Sequence, residues 1–437
     1  MKGLKSLTLN NYLVTENLLA DILSVPKAVM RKRREKGDIF PVNSKNGVFI
    51  YDLNHLGEYS AVSKILNSRW DSEAKTKPRR RYRSIELFAG AGGMAIGLEN
   101  AGFKAIALNE FAKDACETLR MNRPKWNVLE GDIADIDFKD FENVDFVAGG
   151  FPCQAFSYAG NKLGFEDTRG TLFFEFARVI KETNPKVFLG ENVRGLLTHE
   201  KGRTLSTIRD VIEELGYTLI EPKVLKAIFY RVPQKRERLF LLAVRNDLVK
   251  FGRFKWPDPY HQIPTVRDAL KAGSLYDSDV PKSEGQTYPP RKKEILSHVP
   301  PGGFWKDLPD ELQREYMKGS YFLGGGKTGM ARRLSMDEPS LTLTCAPAQK
   351  QTERCHPVKT RPLTIREYAR IQTFPDEWEF HGSVSSQYKQ IGNAVPVNLA
   401  EALGRRIVAL LNNIQKEKAV ASDHPESISP KRAGMLF

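Results

Sequence analysis

Short apolar segments alternate with amphipathic segments from residue 84 onward, and this alternation constrains the fold more than any other feature of the chain. The predicted strands are residues 85–88, 105–108, 144–148, 187–190 and 238–244. Helical patterns separate the first four strands, and strands joined by helices pair in parallel, because each crossover needs a long connection. The sequence therefore predicts an α/β fold with a parallel, doubly wound sheet.

Changes in composition divide the chain into further parts. Residues 84–249 carry the alternating pattern, whereas residues 250–360 are rich in proline, glycine and lysine and predict a separate, irregular domain. Periodicity returns in residues 361–414, where residues 400–411 predict an amphipathic helix. Residues 415–437 are polar, and we expect them to be disordered.

Charge and cysteine content narrow the possible functions. The net charge is +14, and residues 1–83 carry 17 Lys/Arg against 8 Asp/Glu, which favours a polyanionic partner over a basic protein without one. The four cysteines form no CxxC pair, so no metal site is expected. No apolar run has the ~18 residues of a membrane span, and the N-terminus lacks a signal-peptide core. We therefore expect a cytoplasmic protein.

Residues 1–70 predict a small unit of their own. Thr15 can cap a helix over residues 16–23, and a basic helix follows from about Lys27 to Lys36. Two strands, residues 39–42 and 48–51, predict a hairpin with an Asn-Gly turn. This order resembles the winged helix-turn-helix of MerR- and excisionase-type DNA-binding domains, although a helical cap on the main domain remains the alternative. The candidate DNA contacts are Arg31, Arg33 and Arg34. Residues 71–83 predict a basic, solvated linker.

A glycine-rich turn follows the first predicted strand of the main domain. Its glycines, in Phe88-Ala-Gly90-Ala-Gly92-Gly93, allow the backbone to approach a ligand at the start of the next helix. Glu110 after the second strand can hold ribose hydroxyls, and Asp132 after the third can bond an adenine amine. Because no phosphate-binding loop is present, a nucleoside without a pyrophosphate fits best, which points to S-adenosylmethionine. A purely structural turn is the alternative.

Cys153 follows the predicted strand at 144–148, at the sheet edge where open α/β folds bind ligands. Its thiolate would be a nucleophile if nearby cations lowered its pKa, but an inert half-buried cysteine is the alternative. Glu191 ends the neighbouring strand and reaches the same edge. Arg236 and Arg238 alternate on one strand face and can bind an anion or fix Glu191, unless they form an exposed basic strand.

These motifs, in this order, resemble those of the DNA (cytosine-5) methyltransferases. The motifs are Phe88–Gly93, Pro152-Cys153-Gln154, Glu191-Asn192-Val193, Gln234-x-Arg236-x-Arg238, 361–375 and Gln390–Pro396. The resemblance covers residues 84–414. It implies a Rossmann-like, S-adenosylmethionine-dependent catalytic domain in which residues 361–414 return to the sheet.

The resemblance also implies a role for each motif. Cys153 would attack C6 of a cytosine flipped from duplex DNA, Glu191 would contact N3 and the exocyclic amine, and Arg238 and Arg236 would orient the base and its surroundings. Residues 154–168 would form a mobile loop that closes on DNA. The implied cofactor-binding residues are Phe88, Gly90, Gly92, Gly93, Glu110, Asp132, Ile133, Pro152, Leu172, Asn393 and Val395.

Residues 250–360 fall where this family keeps its target-recognition domain. The candidate DNA contacts there, each expected to bind phosphate rather than a base, are Arg332, Arg333, Lys350 and Arg354. The sequence thus predicts a modification methyltransferase of a restriction–modification system. It would act as a monomer on double-stranded DNA, with a restriction endonuclease as its genetic partner. A related enzyme acting on tRNA, or a DNA-binding regulator using residues 1–70, remains possible.

Overall fold

The computed structural model describes residues 12–45, 47–151, 172–324 and 327–423. It begins with a small unit whose elements are β1 (Leu13–Thr15), α1 (Glu16–Leu23), α2 (Lys27–Lys36), β2 (Asn43–Lys45), β3 (Val48–Asp52) and α3 (Ser60–Leu66). Helices α1 and α2 have their predicted bounds, and the Thr15 side chain accepts a hydrogen bond from Leu18 N at the start of α1. The hairpin is present, but its first strand lies at 43–45 rather than 39–42, and β1 adds a third strand to β3.

The prediction of a solvated linker over residues 71–83 is wrong for its first residues. Residues 70–74 form helix α4 (Trp70–Ala74), and Trp70 packs into the core of the main domain. Glu73 is buried and paired with Arg406 of the C-terminal helix. Apolar and ionic contacts therefore attach this segment to the body of the protein, and the first sheet strand begins at Tyr82, three residues before the predicted start.

An eight-stranded sheet forms the centre of the protein. Its strands are β4 (Tyr82–Leu87), β5 (Phe103–Glu110), β6 (Val128–Glu130), β7 (Phe146–Gly149), β8 (Val187–Val193), β9 (Tyr217–Leu219), β10 (Lys223–Lys226) and β12 (Glu237–Arg245). The order is β10-β12-β8-β7-β4-β5-β6, with β9 also paired to β12. Strands β4 to β8 are parallel, as predicted, whereas β12 runs antiparallel to β8.

Helices cover both faces of the sheet. Those near the sheet are α5 (Gly93–Asn100), α6 (Lys113–Asn122), α7 (Leu172–Thr183) and α8 (Arg203–Glu214). Side chains alternate between two cores along each strand: Leu189 belongs to one core, and its neighbour Phe188 to the other. This alternation confirms the doubly wound arrangement. Among the described helices, none combines the length and apolar character that crossing a bilayer requires.

The C-terminal segment returns to the sheet through α12 (Ile365–Ile371), α13 (Val384–Asn393) and α14 (Val397–Asp423). Helix α14 packs closely on α5, because a Cβ atom at Gly97 would lie 2.5 Å from Val397 O. The predicted amphipathic helix is confirmed but extends to Asp423. The predicted disorder is therefore wrong for residues 415–423, and the rest of that tail lies outside the described residues.

Residues 250–360 contain few regular elements, as predicted. They are α9 (Val266–Leu270), α10 (Pro290–Ser297), α11 (Asp310–Met317) and β13 (Ser340–Leu341), which pairs with β11 (Gln234–Lys235). Residues between 288 and 355 share a small core that contains Trp305, Met317 and Cys355. By contrast, Val266, Leu334 and Leu343 pack with α12 and α13, so this region is partly built into the main body.

Candidate active site

The carboxyl ends of β4, β5, β7 and β8 surround a cavity of about 760 Å³. It lies where open α/β sheets bind ligands. Its lining joins residues of the two predicted sets: Phe88, Gly90, Gly93, Glu110, Glu191, Arg238, Asn393 and Val395. Glu86, Gly150 and Phe151, which were not predicted as site residues, also line it. The cavity therefore brings the predicted nucleoside site and the predicted base site into one space.

The glycine-rich turn holds the carboxylate of Glu110 in place. Gly90 N donates to Glu110 Oε2 at 2.7 Å, and Ala112 N donates to Glu110 Oε1 at 2.8 Å. Gly90 has φ +55° and Phe88 has φ +57°, a backbone conformation that is uncommon for a residue with a side chain. Each carboxylate oxygen keeps a further lone pair, so Glu110 can still accept bonds from a pair of hydroxyls.

Two neighbouring glycines of this turn serve different purposes. A Cβ atom at Gly93 would lie 2.3 Å from Val395 O, so only glycine admits the returning segment at the cavity wall. At Gly92 the nearest atoms would be side-chain atoms of Leu119, at 2.8 Å, and Trp378, at 3.1 Å. Gly92 is not among the residues that line the cavity, and its predicted ligand contact remains a prediction.

Glu86 is a residue of the cavity wall that the sequence analysis missed. It lies on β4, two positions before Phe88, and its carboxyl is almost completely buried. Oε2 has no hydrogen-bond partner among the described residues. Burial, and secondarily the charge of Glu110, raises the pKa of Glu86 well above its usual value. A buried acidic oxygen without a partner at a cavity wall is suited to a cationic ligand group.

Glu191 and Arg238 form the polar wall at the other end of the cavity. Arg238 Nε lies 2.7 Å from Glu191 Oε1, and the two side chains are 15% and 13% exposed. Burial raises the pKa of Glu191, although Arg238 and Arg236 oppose that shift. A Cβ atom at Gly150 would lie 2.9 Å from Glu191 Oε2, so glycine leaves room for the carboxyl group.

Arg236 is not among the residues that line the cavity, and its predicted role is to orient the surroundings of the base rather than the base itself. Its guanidinium is buried and donates to the carbonyls of Leu343, Gly392 and Asn393 at 3.0–3.3 Å. Burial lowers its pKa, because the charged form loses water. Arg236 therefore positions the segment that ends at Asn393, a cavity-lining residue, rather than a ligand.

A glutamine relay, also missed, reinforces this positioning. Gln234 Nε2 donates to Gln372 Oε1 at 2.9 Å, and Gln372 Nε2 donates to Ile391 O at 2.7 Å. Both glutamines are fully buried. One feature of the sequence could have drawn attention to these residues: Gln234 and Gln372 each lie inside one of the motifs that carry the family resemblance. Their contact joins positions 138 residues apart, which the sequence alone does not show.

Cys153 and Pro152 lie outside the described residues, as does the predicted loop at 154–168. The chain just before them is fixed: Asn192 Nδ2 donates to Phe151 O at 2.8 Å, and Gly150 contacts Glu191. Asn192 thus links the end of β7 to the end of β8. Cys153 follows Phe151 by two positions in the sequence.

Besides Gly92, three described residues that were predicted to bind the cofactor do not line the cavity. Asp132 is exposed, and its side chain accepts from Ala134 N at 3.0 Å at the start of a short 3₁₀ turn. Ile133 is buried in a core of the sheet, and Leu172 is half exposed at the start of α7. Their cofactor contacts remain predictions.

Two of the four predicted DNA contacts of the 250–360 region serve internal structure. Arg333 is buried and donates to Leu296 O at 2.7 Å and to Thr360 Oγ1 at 2.8 Å. Arg354 is also buried and donates to Thr342 O and Glu353 O. Because these guanidinium groups are desolvated and bonded to the protein, the structure contradicts a DNA-contacting role for both arginines.

Lys350 and Arg332 are less enclosed. Lys350 Nζ donates to Met317 O at 2.7 Å, and Arg332 donates to Gly302 O at 2.8 Å while remaining partly exposed. Each retains donors that are free of these bonds. Their predicted contacts to DNA remain predictions.

The three predicted arginines of α2 differ from one another. Arg34 Nε bonds Glu16 Oε2 at 2.7 Å, and its guanidinium lies 3.8 Å from the centre of the Phe49 ring, so it stabilises the unit itself. Arg33 lies over Tyr59. Only Arg31 is fully exposed. The structure therefore supports Arg31 as a surface contact and reassigns Arg34.

Comparisons with known proteins agree with this geometry. The family model described as C-5 cytosine-specific DNA methylase matches residues 82–409. The chain is 63% identical to the Type II methyltransferase M.Eco47II of Escherichia coli, over 91% of this chain and 96% of that protein. It is 58% identical to the Type II methyltransferase M.PspPI of Psychrobacter sp. (strain TA137), over 92% and 97%.

A solved structure shares the fold. The S. pombe Dnmt2 methyltransferase aligns with a TM-score of 0.50 and 20% identity, over 76% of this chain and 100% of that one.

The similarity to the two Type II methyltransferases is not confined to the methylase region. Residues 82–437 are 356 of the 437 residues, so the alignments that cover 91% and 92% of the chain extend into its first 81 residues. The described residues contain no group of His, Cys, Asp and Glu side chains arranged to hold a metal ion.

Proposed function

The chain belongs to the family of C-5 cytosine-specific DNA methylases, and we propose that its cavity holds S-adenosylmethionine beside a cytosine flipped out of duplex DNA. It is a DNA (cytosine-5) methyltransferase whose close relatives are Type II methyltransferases of restriction–modification systems. The observation that carries the proposal is the Glu191–Arg238 pair, which lies in the same cavity as Phe88 and Glu110. A restriction endonuclease is the expected genetic partner.

The residues at one end of the cavity fit S-adenosylmethionine. The turn at Phe88 and Gly90 offers a ring and an open backbone, and Glu110 keeps acceptors for ribose hydroxyls. The partnerless oxygen of Glu86 suits the ammonium group of the methionine part. Asn393 and Val395 close this end, because Gly93 lets the returning backbone approach. The bound cofactor supplies an electrophilic methyl group.

The residues at the other end fit a flipped cytosine. Glu191 can donate a proton to N3 from its acid form, whose population the raised pKa increases, and can accept from the exocyclic amine. Arg238 holds that carboxyl group in orientation through its 2.7 Å contact. Such placement lets electron density move onto the ring at low cost, since the donor is already in position.

The thiolate of Cys153 forms a bond to C6 while the C5–C6 π bond breaks, and the electrons move through C4 onto N3, where Glu191 supplies a proton. The resulting C4–C5 double bond is an enamine that is nucleophilic at C5. C5 would then take the methyl group as the methyl–sulfur bond of the cofactor breaks and its electron pair stays on the cofactor's sulfur. The ring would then carry both a proton and a methyl group at C5, and N3 would return its proton to Glu191. A base removes the C5 proton, the C6–sulfur bond breaks, and the aromatic ring and the thiolate are restored. Asn192 donates to the carbonyl of Phe151, which comes two positions before Cys153 in the sequence.

Methyl transfer from labelled S-adenosylmethionine to duplex DNA tests the proposal. We expect Cys153→Ser to abolish turnover while the protein still binds DNA, because the hydroxyl is a far weaker nucleophile at neutral pH. Retained turnover would remove Cys153 from its role. Bisulfite sequencing of DNA from expressing cells would identify the modified cytosine. Transfer of the labelled methyl group to tRNA and not to DNA would contradict the proposal that duplex DNA is the substrate.

A further inference from the structure

The N-terminal unit, residues 12–70, is attached to the catalytic body by a shared cluster of charges. Lys235 Nζ on β11 lies 2.7 Å from Asp21 Oδ2 and 3.5 Å from Glu338 Oε2. Asn17 Nδ2 donates to Glu338 Oε1 at 2.7 Å, and Lys27 Nζ lies 3.9 Å from the same oxygen. The Asp21, Lys235 and Glu338 side chains are at most 25% exposed, so solvent screens their contacts less than it screens surface pairs.

A second attachment lies at the other end of the unit. Trp70 is buried in the core of the main domain, next to Tyr230 and Tyr260. Arg69 Nε lies 3.1 Å from Asp258 Oδ2. A domain tethered by a solvated linker would have neither attachment. The unit therefore has a fixed position relative to the cavity.

That position is on the edge of the sheet where the cavity opens. Lys235 comes two residues before β12, and the first residues of β12 pair with the carboxyl end of β8, where Arg238 lies opposite Val193. Asp21 and Lys27 thus contact the body beside the same strand ends that carry Glu191. DNA that delivers a cytosine to the cavity must lie along this edge.

Helix α2 extends from the charge cluster and carries an exposed basic surface. Arg31, Lys32 and Lys36 are exposed, and none of them forms an ion pair with a described residue; we call them the α2 stripe. From Lys27 to Lys36 the helix is about 14 Å long, about the span of four base pairs. The length and positive charge of this surface match a row of phosphate groups on a duplex.

We propose that the α2 stripe binds the phosphates of duplex DNA on one side of the target cytosine during methylation. The inference rests on the proposed function, because the cavity fixes where the cytosine lies. The partner is duplex DNA flanking the target, contacted without regard to sequence. The N-terminal unit then extends the footprint of the methyltransferase, and the distance from cavity to stripe is set by the two attachments.

The test uses the full-length protein and the variant Arg31→Ala/Lys32→Ala/Lys36→Ala. The substrates are duplexes with one target cytosine, lengthened from about 12 to about 40 base pairs on one flank at a time, with random flanking sequence. The control variant Lys104→Ala/Lys139→Ala/Lys250→Ala removes three exposed cations near the opposite edge of the sheet. Melting temperatures verify that both variants fold.

For the unaltered protein we expect lengthening of one flank, and only one, to lower KM about tenfold without changing kcat. The stripe variant should lose this gain, and its slope of log KM against log salt should fall by about 2–3, near 0.9 per lost phosphate contact. The control variant should keep both. Equal gains on both flanks, or a stripe variant that keeps the gain, would overturn the inference. No methylation of any duplex would instead refute the proposed function.

Discussion

The cavity and the α2 stripe use charge in opposite ways. In the cavity, Glu191 and Arg238 are largely buried and paired with each other, so their geometry is fixed before a ligand arrives. On the stripe, Arg31 and Lys32 are exposed and make no ion pair with the described residues. Buried pairs are suited to orienting one base, whereas exposed cations are suited to a polyanion that can shift along its contacts.

The distinction between buried, paired charges and exposed, unpaired ones also shows which arginines were wrongly predicted to contact DNA. Arg34, Arg333 and Arg354 hold their own units together through carboxylate and carbonyl partners. Arg236 does the same for the segment that ends at Asn393. Arginine in a basic region is therefore no evidence of a DNA contact, because its five donors also satisfy buried carbonyls well.

The largest expected effect concerns the buried pair of the cavity. Glu191→Gln keeps the shape but loses the acid, so we expect kcat for duplex methylation to fall about 10²–10⁴-fold. In the unaltered protein, the raised pKa implies that the acid form is lost as pH rises, so kcat should decrease on the alkaline side of that pKa. Glu237→Gln, at the start of β12 and paired with the exposed Arg194, is the control. A normal kcat in Glu191→Gln would exclude proton donation by this residue.

A smaller effect is expected for an arginine reassigned to internal structure. Arg333→Ala leaves Leu296 O without its donor and opens space in a packed core, so the free energy of unfolding should decrease by about 2–4 kcal/mol. The control Arg291→Ala removes an exposed side chain paired with Glu294 and Glu315, and it should change the free energy of unfolding far less. Urea unfolding measures both. Lost DNA affinity with unchanged stability would restore the sequence prediction for Arg333.

The smallest effect concerns the cofactor end of the cavity. Glu86→Gln should weaken binding of S-adenosylmethionine about 10–100-fold, measured by calorimetry, because a charge-assisted bond is lost. The raised pKa of Glu86 adds a pH dependence: a cation binds the ionised form, so binding releases a proton and weakens as pH falls below that pKa. The variant should lack this dependence. Asp114→Asn, an exposed acid at the rim of the same cavity, is the control.

Much of the fold and part of the site could be predicted from local pattern. The α1 and α2 bounds, the parallel strands and the returning helix all follow from periodicity and capping residues. Phe88, Glu110 and Glu191 were placed at strand ends, and strand ends meet at one edge. Glu86 was missed because an acid inside an apolar strand gives no sign of whether its carboxyl finds a partner. Gln372 was missed because its partner lies far away in the chain.

The sequence by itself determined the family, the alternation of strands and helices along the chain, and the residue types at the ends of the predicted strands. These depend on short-range spacing, which the chain carries directly. Only the tertiary structure decided which charges are buried, as with Arg333, and which remain exposed, as with Arg31. It also decided that the N-terminal unit is fixed through Lys235 and Trp70 rather than tethered. Burial and pairing depend on neighbours distant in sequence, and these determine whether a charge supports the fold or is available to DNA.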